Sequence, residues 1–392
     1  MAQHHSPAGD IRVTFPRQGT APAAPDVRTA PPGDTVGRRS ENQRDPYFDN
    51  AKFVAALLVV VGHVWAEFDD AGAAVDAAYK TVYAFHMPVF VFITGYFSRG
   101  FMRSPEKFRT LLPTLVVPYL IFIVPYRAQI VLLRGEPFEI AELFMPHFLM
   151  WFLVALVCWR LSAPLWAHLR HPVAVAVVVS LGAGLWIWAE DGTLSRMAGL
   201  LPFFVLGLVI DPERARRLRR PAARRLGVAV LVAAPIAFFS WQHGPFDLPS
   251  IDMRLLWWDS GYQEMGYSAL EGTAGRAAAL LTAAVLGAAF LAAMPRGRTW
   301  YTEMGTRTMY VYLLHGLVVK TFDYTGVLAL PAVRTPLGIV AVTLAAVALG
   351  VLLSTRPVQT ATRWAVEPRA RWLLMTGPRS GSGTRPLTGA GQ

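Results

Sequence analysis

Long apolar runs recur along this chain, separated by shorter polar stretches that hold most of its arginines. Each run approaches the ~20 residues that a helix needs to cross a bilayer. The pattern predicts spans at about 51–67, 79–98, 110–133, 143–163, 172–189, 196–210, 226–242, 277–294, 308–325 and 335–354. The expected fold class is therefore all-α: a polytopic integral membrane protein with about ten transmembrane helices. Lys and Arg concentrate near 99–109, 164–171, 211–225 and 295–307, which the positive-inside rule places in the cytoplasm. An even number of helices then puts both the N- and C-termini on the cytoplasmic side. Residues 1–45, rich in Pro, Ala and Arg, read as a disordered cytoplasmic tail. Residues 46–358 form the membrane domain, whose longest outer-face loop is about 243–276. Residues 359–392 read as a second polar cytoplasmic tail.

Composition fits this picture. Apolar residues make up 54% of the chain and charged residues only 16%, with a mean hydropathy of +0.37. The net charge of +11 could suit nucleic-acid binding. The cations, however, lie in loops between apolar runs, where anionic headgroups would meet them. The expected compartment is the cell inner (plasma) membrane. The single cysteine, Cys158, lies in an apolar run and excludes an intrachain disulfide. No HExxH pattern, cysteine cluster or close set of carboxylates points to a metal. No glycine-rich phosphate loop or dinucleotide fingerprint occurs, so no tightly bound cofactor is expected.

The first apolar run carries the most specific chemical pattern. Lys52 and His63 are eleven residues apart, close to three helical turns, so both lie on one face about 16 Å apart along the axis. Ionisable groups within a membrane are costly and point to function by default. His86, two residues before Pro88, and His315, within the run 308–325, add two further buried imidazoles. Glu67 lies four residues after His63 on the same face, where it would either orient the imidazole or stand as an exposed helix-end glutamate. Arg99, Arg103, Lys107 and Arg109 form a cationic loop at the Lys52 side.

Several patches, in order, resemble one known family. Arg44-Asp45-Pro46-Tyr47-Phe48-Asp49-Asn50-Ala51-Lys52 is followed by His63. Phe85-His86-Met87-Pro88 leads to Thr94-Gly95-Tyr96-Phe97, and the loop from Arg99 to Arg109 leads to Leu111-Leu112-Pro113 and Val117-Pro118-Tyr119. Trp151-Phe152-Leu153 and Tyr310-Val311-Tyr312-Leu313-Leu314-His315 come later. Together they resemble the acyltransferase-3 family of membrane acyltransferases over about residues 44–355, closest to the fucose 4-O-acetylase-like branch of sugar O-acetylases. Lys52 stands where that family more often has Arg, and Thr94-Gly95 where it usually has Ser-Gly.

The resemblance implies transfer of an acetyl or other short acyl group from cytosolic acyl-CoA to a hydroxyl of a carbohydrate, glycolipid or glycosylated small molecule. It implies His63 as general base, with His86, Glu67 and His315 as further catalytic candidates. The donor is acetyl-CoA or another acyl-CoA. Lys52, Arg99, Arg103 and Arg109 are expected to bind its phosphates. Trp151, Tyr96 and Tyr312 are expected to line the acceptor site. A different class of function also places histidines inside a membrane, namely a proton-coupled transporter or flippase of a sugar-like or anionic substrate. The halves show no convincing internal repeat, which weighs against a carrier.

Overall fold

The computed structural model describes residues 45–68, 72–186, 192–245 and 249–368, and among them there is no strand. The helices are α1 (Pro46–Trp65), α2 (Ala73–Phe97), α3 (Val117–Gln129), α4 (Trp151–Ala167), α5 (Pro172–Ala183), α6 (Thr193–Val209) and α7 (Pro212–Arg217). They continue as α8 (Pro221–His243), α9 (Met253–Trp257), α10 (Ala269–Ala293), α11 (Thr308–Tyr324), α12 (Pro336–Leu353) and α13 (Arg356–Val366).

Among the described residues six helical stretches are long and apolar enough to cross a membrane: Pro46–Trp65, Glu106–Arg134, Phe148–Ala167, Pro221–His243, Ala269–Ala293 and Pro336–Leu353. The other four expected spans are helical too, but they depart from that pattern. α5 and α6 have only 12 and 17 residues. α2 carries Asp76 and Lys80, and α11 carries Lys320 and Asp323.

Local signals start the helices where they begin. Asp45 caps α1 by accepting a hydrogen bond from the Tyr47 amide at 3.1 Å, with Pro46 in the first turn. α1 therefore begins several residues before the expected position 51. Ser268 and Glu271 form a reciprocal capping box on α10, so the helix starts at Ala269, inside the stretch expected to be outer loop. The loop also holds α9. The expected C-terminal tail opens as helix, because α13 runs to Val366. The expected disorder of the N-terminal tail over residues 1–44, and the rest of the expected polar tail over 369–392, lie outside the described residues.

α1 sits at the centre. Two thirds of its apolar stretch (67%) is buried, against 11% for α8 and 22% for α12, which present their sides outward. Its Tyr47 hydroxyl donates to the Leu291 carbonyl of α10 at 2.7 Å. Asn50, fully buried, donates to the Pro295 and Gly297 carbonyls and accepts from Thr299 and Thr302. α2 and α6 approach so closely that a β-carbon on Gly95 would lie 2.1 Å from the Phe204 carbonyl oxygen. One on Gly207 would lie 2.1 Å from the Phe92 carbonyl oxygen. Reciprocal small residues of this kind let membrane helices touch backbone to backbone.

Candidate active site

α1 and α11 bring His63 and His315 together, with ring centroids 5.4 Å apart and planes inclined by 36°. The same mechanism holds His315 and His86. Each Nδ1 lies 2.8 Å from the carbonyl oxygen one turn earlier, Val311 for His315 and Val82 for His86. A carbonyl only accepts, so Nδ1 carries the proton and Nε2 of the neutral ring is left as an acceptor. His315 is fully buried and its Nε2 has no hydrogen-bond partner among the described residues. His63 differs: it is partly exposed, and its ring makes no hydrogen bond among the described residues.

The chamber around these rings is aromatic. Phe148 lies 4.7 Å from His63 and Tyr83 lies edge-on at 6.4 Å; Tyr83 also touches His86 at 4.7 Å. Phe148 has a positive φ of 51°, a conformation costly for an aromatic residue and typical of constrained sites. Its segment is held by α11. The Tyr126 hydroxyl donates to the Leu313 carbonyl at 3.1 Å, and the Tyr312 hydroxyl donates to the Leu149 carbonyl. Gly316 permits this, since a β-carbon there would lie 2.3 Å from the Tyr126 hydroxyl.

Glu67 does not orient His63. α1 stops at Trp65, so the four-residue helical spacing is broken. The Glu67 carboxylate instead accepts from Lys320 at 2.8 Å, which also pairs with Asp323 at 2.9 Å. The Lys320 ammonium lies 5.0 Å from the Phe148 ring, on the edge of the chamber. Trp151 is buried and Tyr312 half-buried beside the same segment, Tyr312 packing on Phe152 at 5.7 Å. Tyr96 is not with them. It lies ten residues beyond His86 on α2, about 15 Å along the axis, and packs on Phe48 at 4.7 Å.

At the opposite end of α1 the expected cations separate into two sets. Lys52 pairs with Asp49 at 2.7 Å. Arg99 lies over the Tyr96 ring at 4.2 Å and donates to the Gly207 and Ile210 carbonyls at the end of α6. Arg103 and Arg109 are exposed and make no ion pair among the described residues.

Sequence reasoning missed several residues that the fold delivers to the chamber. Trp257 of α9 donates to the Tyr79 hydroxyl at 3.1 Å, and the Tyr79 ring lies 4.4 Å from Tyr83, so the loop between α8 and α10 backs the aromatic wall of the chamber. Arg196 pairs with Asp259 of that loop at 2.9 Å and lies 5.7 Å from the Trp151 ring. Tyr83 is one turn before His86, a spacing that could have flagged it. Nothing local to Arg196 or Asp259 could have done so.

A family model described as an acyltransferase domain matches residues 45–355, most of the chain. The chain belongs to the acyltransferase-3 family. This multi-pass membrane acyltransferase is also similar to nodulation protein NolL of Mesorhizobium japonicum (strain LMG 29417 / CECT 9101 / MAFF 303099). The two are 39% identical over 62 residues, which cover 15% of this chain and 17% of the relative. The chain thus matches about a sixth of that relative's length. No solved structure matches. Membership of the family decides between acyl transfer and transport in favour of acyl transfer.

Proposed function

We propose that this acyltransferase moves an acetyl or other short acyl group from cytosolic acyl-CoA to a hydroxyl of a carbohydrate or glycosylated acceptor, with His63 as general base. The observation that carries this reading is the pairing of His63 and His315. Two imidazoles from different helices meet in an aromatic chamber, and the one that stays accessible has no hydrogen bond to give up.

The chemistry follows from that arrangement. The acceptor oxygen attacks the thioester carbonyl while His63 takes the hydroxyl proton. The tetrahedral intermediate collapses, the carbon–sulfur bond breaks, and the proton returns from His63 to the departing thiolate. Products are an ester and CoA with a free thiol. His315 packs its neutral ring against His63 and so positions the base. Its Nδ1 is anchored, so the ring does not turn as the proton moves.

Orientation belongs to the same proposal. The Lys52 end faces the cytoplasm, where the donor is made, and α1 carries the chamber toward the outer leaflet. Ten crossings with both termini inside fit the helix order and the arginine-rich stretch around α7. The acceptor enters from the outer side, past the loop that bears Trp257 and Asp259.

The test is purified protein in nanodiscs with labelled acetyl-CoA, wild type beside His63→Ala. Donor binding should persist in the variant while kcat falls by about 10²–10⁴-fold. Transfer at the wild-type rate in a folded His63→Ala protein would remove His63 from the chemistry.

A further inference from the structure

The cation best prepared to hold the donor is one the sequence did not single out. Arg160 lies on α4 where that helix packs on the turn that follows α2. Its Nε donates to the Ser98 hydroxyl at 3.2 Å, and Ser98 in turn donates to the Thr94 carbonyl at 2.7 Å. Its guanidinium carbon lies 5.3 Å from the Phe101 ring centroid. These two contacts fix the plane of the guanidinium. Its two terminal nitrogens make no hydrogen bond among the described residues, and neither is sealed from solvent. No carboxylate lies within ion-pair distance of it among the described residues.

This is unusual among the cations of this end. Lys52 is occupied by Asp49, Arg99 by the carbonyls of α6, and Arg219 by Asp45 at 2.6 Å. Arg103 and Arg109 lack ion pairs but are exposed, so they hold an anion only against bulk water and its salt. Arg160 alone of these cations is partly buried, held by side-chain contacts, and left with an open fork among the described residues. A planar fork of this kind matches two oxygens of one phosphate. An unpaired charge in such a place is costly, and an arriving anion would relieve that cost.

We propose that Arg160 is the anion anchor of the donor site, its terminal nitrogens gripping a phosphate of acyl-CoA. Arg103 and Arg109 contribute the outer, screened part of the same field. The inference rests on the reading that acyl-CoA is the donor. Geometry along α1 is consistent with it. Phe48 lies beside Phe97 at 5.2 Å, one residue from Ser98. His63 is fifteen residues further along α1, about 22 Å on the axis. A donor held by its phosphates at Arg160 must therefore thread its long arm along the bundle to bring the thioester to the histidines.

The experiment compares two donors that differ in phosphate: acetyl-CoA and S-acetyl-pantetheine, which has none. Full-length protein in nanodiscs is assayed for CoA binding and for transfer from each donor, as wild type, Arg160→Gln and Arg160→Lys. Arg160→Gln should weaken CoA binding about 10–100-fold and leave kcat/KM for acetyl-pantetheine near the wild-type value. Arg160→Lys, which keeps the charge and loses the fork, should fall between. An equal loss with both donors would make Arg160 a packing residue and overturn the proposal, as would unchanged CoA binding in Arg160→Gln. If the wild type neither binds CoA nor uses acetyl-CoA, the donor reading itself fails, and a CoA-binding wild type with an indifferent Arg160→Gln leaves that reading standing.

Discussion

At the Lys52 end of α1, the cations expected to hold the donor lie near a turn and a loop, and several are already bound to the protein's own carboxylates or carbonyls. At the His63 end, three histidines lie among aromatic rings, and each contact there comes from a different helix or loop. The charged end was easy to notice in the sequence and needed the structure to sort free cations from occupied ones. The chamber was half visible, as three isolated histidines, and needed the structure to show which of them meet. A charge in a loop signals topology as readily as function. A histidine in an apolar run is costly enough to stand out, but its partners are set by packing.

The comparison can be broken at its strongest point first. His315→Ala should lower kcat by about 10²-fold with CoA binding unchanged, because it removes the ring that positions His63. Initial rates with labelled acetyl-CoA check it, and an unaffected rate would reduce His315 to a packing residue. Next comes the edge of the chamber. Lys320→Met strands the carboxylates of Glu67 and Asp323 and unties α11 from the end of α1. It should cost about 1–3 kcal/mol of stability, measured by thermal unfolding in detergent. Lys320→Met combined with Glu67→Gln should recover part of that loss, since the two residues share one interaction.

The smallest effects should distinguish the cations of the Lys52 end. Arg103→Gln should raise the donor KM only a few-fold, and more at low salt than at high salt, as befits an exposed charge. Arg99→Gln should instead lower the melting temperature and disturb donor and acceptor kinetics alike, because it leaves carbonyls of α6 without their donor. The reverse pattern would return Arg99 to the donor site.

Particular residues show why legibility stopped where it did. Lys52 and His63 share a face because helical periodicity is local, and that much needed only the sequence. Glu67 looked like a partner for His63 by the same periodicity. The rule failed because α1 ends at Trp65, and a helix end is set by what the chain packs against next. The family resemblance groups Tyr96 with Trp151 and Tyr312 at the acceptor site, although α2 carries Tyr96 to the far end of the bundle.

The sequence by itself determined that this chain is helical and membrane-embedded, that it belongs with the acyltransferases, and that His63, His86 and His315 place costly imidazoles in apolar runs. These follow from hydropathy, motif order and the price of an imidazole in hydrocarbon, all properties of short stretches. Only the tertiary structure decided that His63 meets His315, that Glu67 answers Lys320, that Arg196 reaches Asp259, and that Arg160 keeps an open fork beside Ser98. Those pairings join residues far apart in the chain, and they depend on which helix faces touch. Apolar periodicity is nearly silent on that point in a bilayer, where lipid and neighbouring helix are equally apolar.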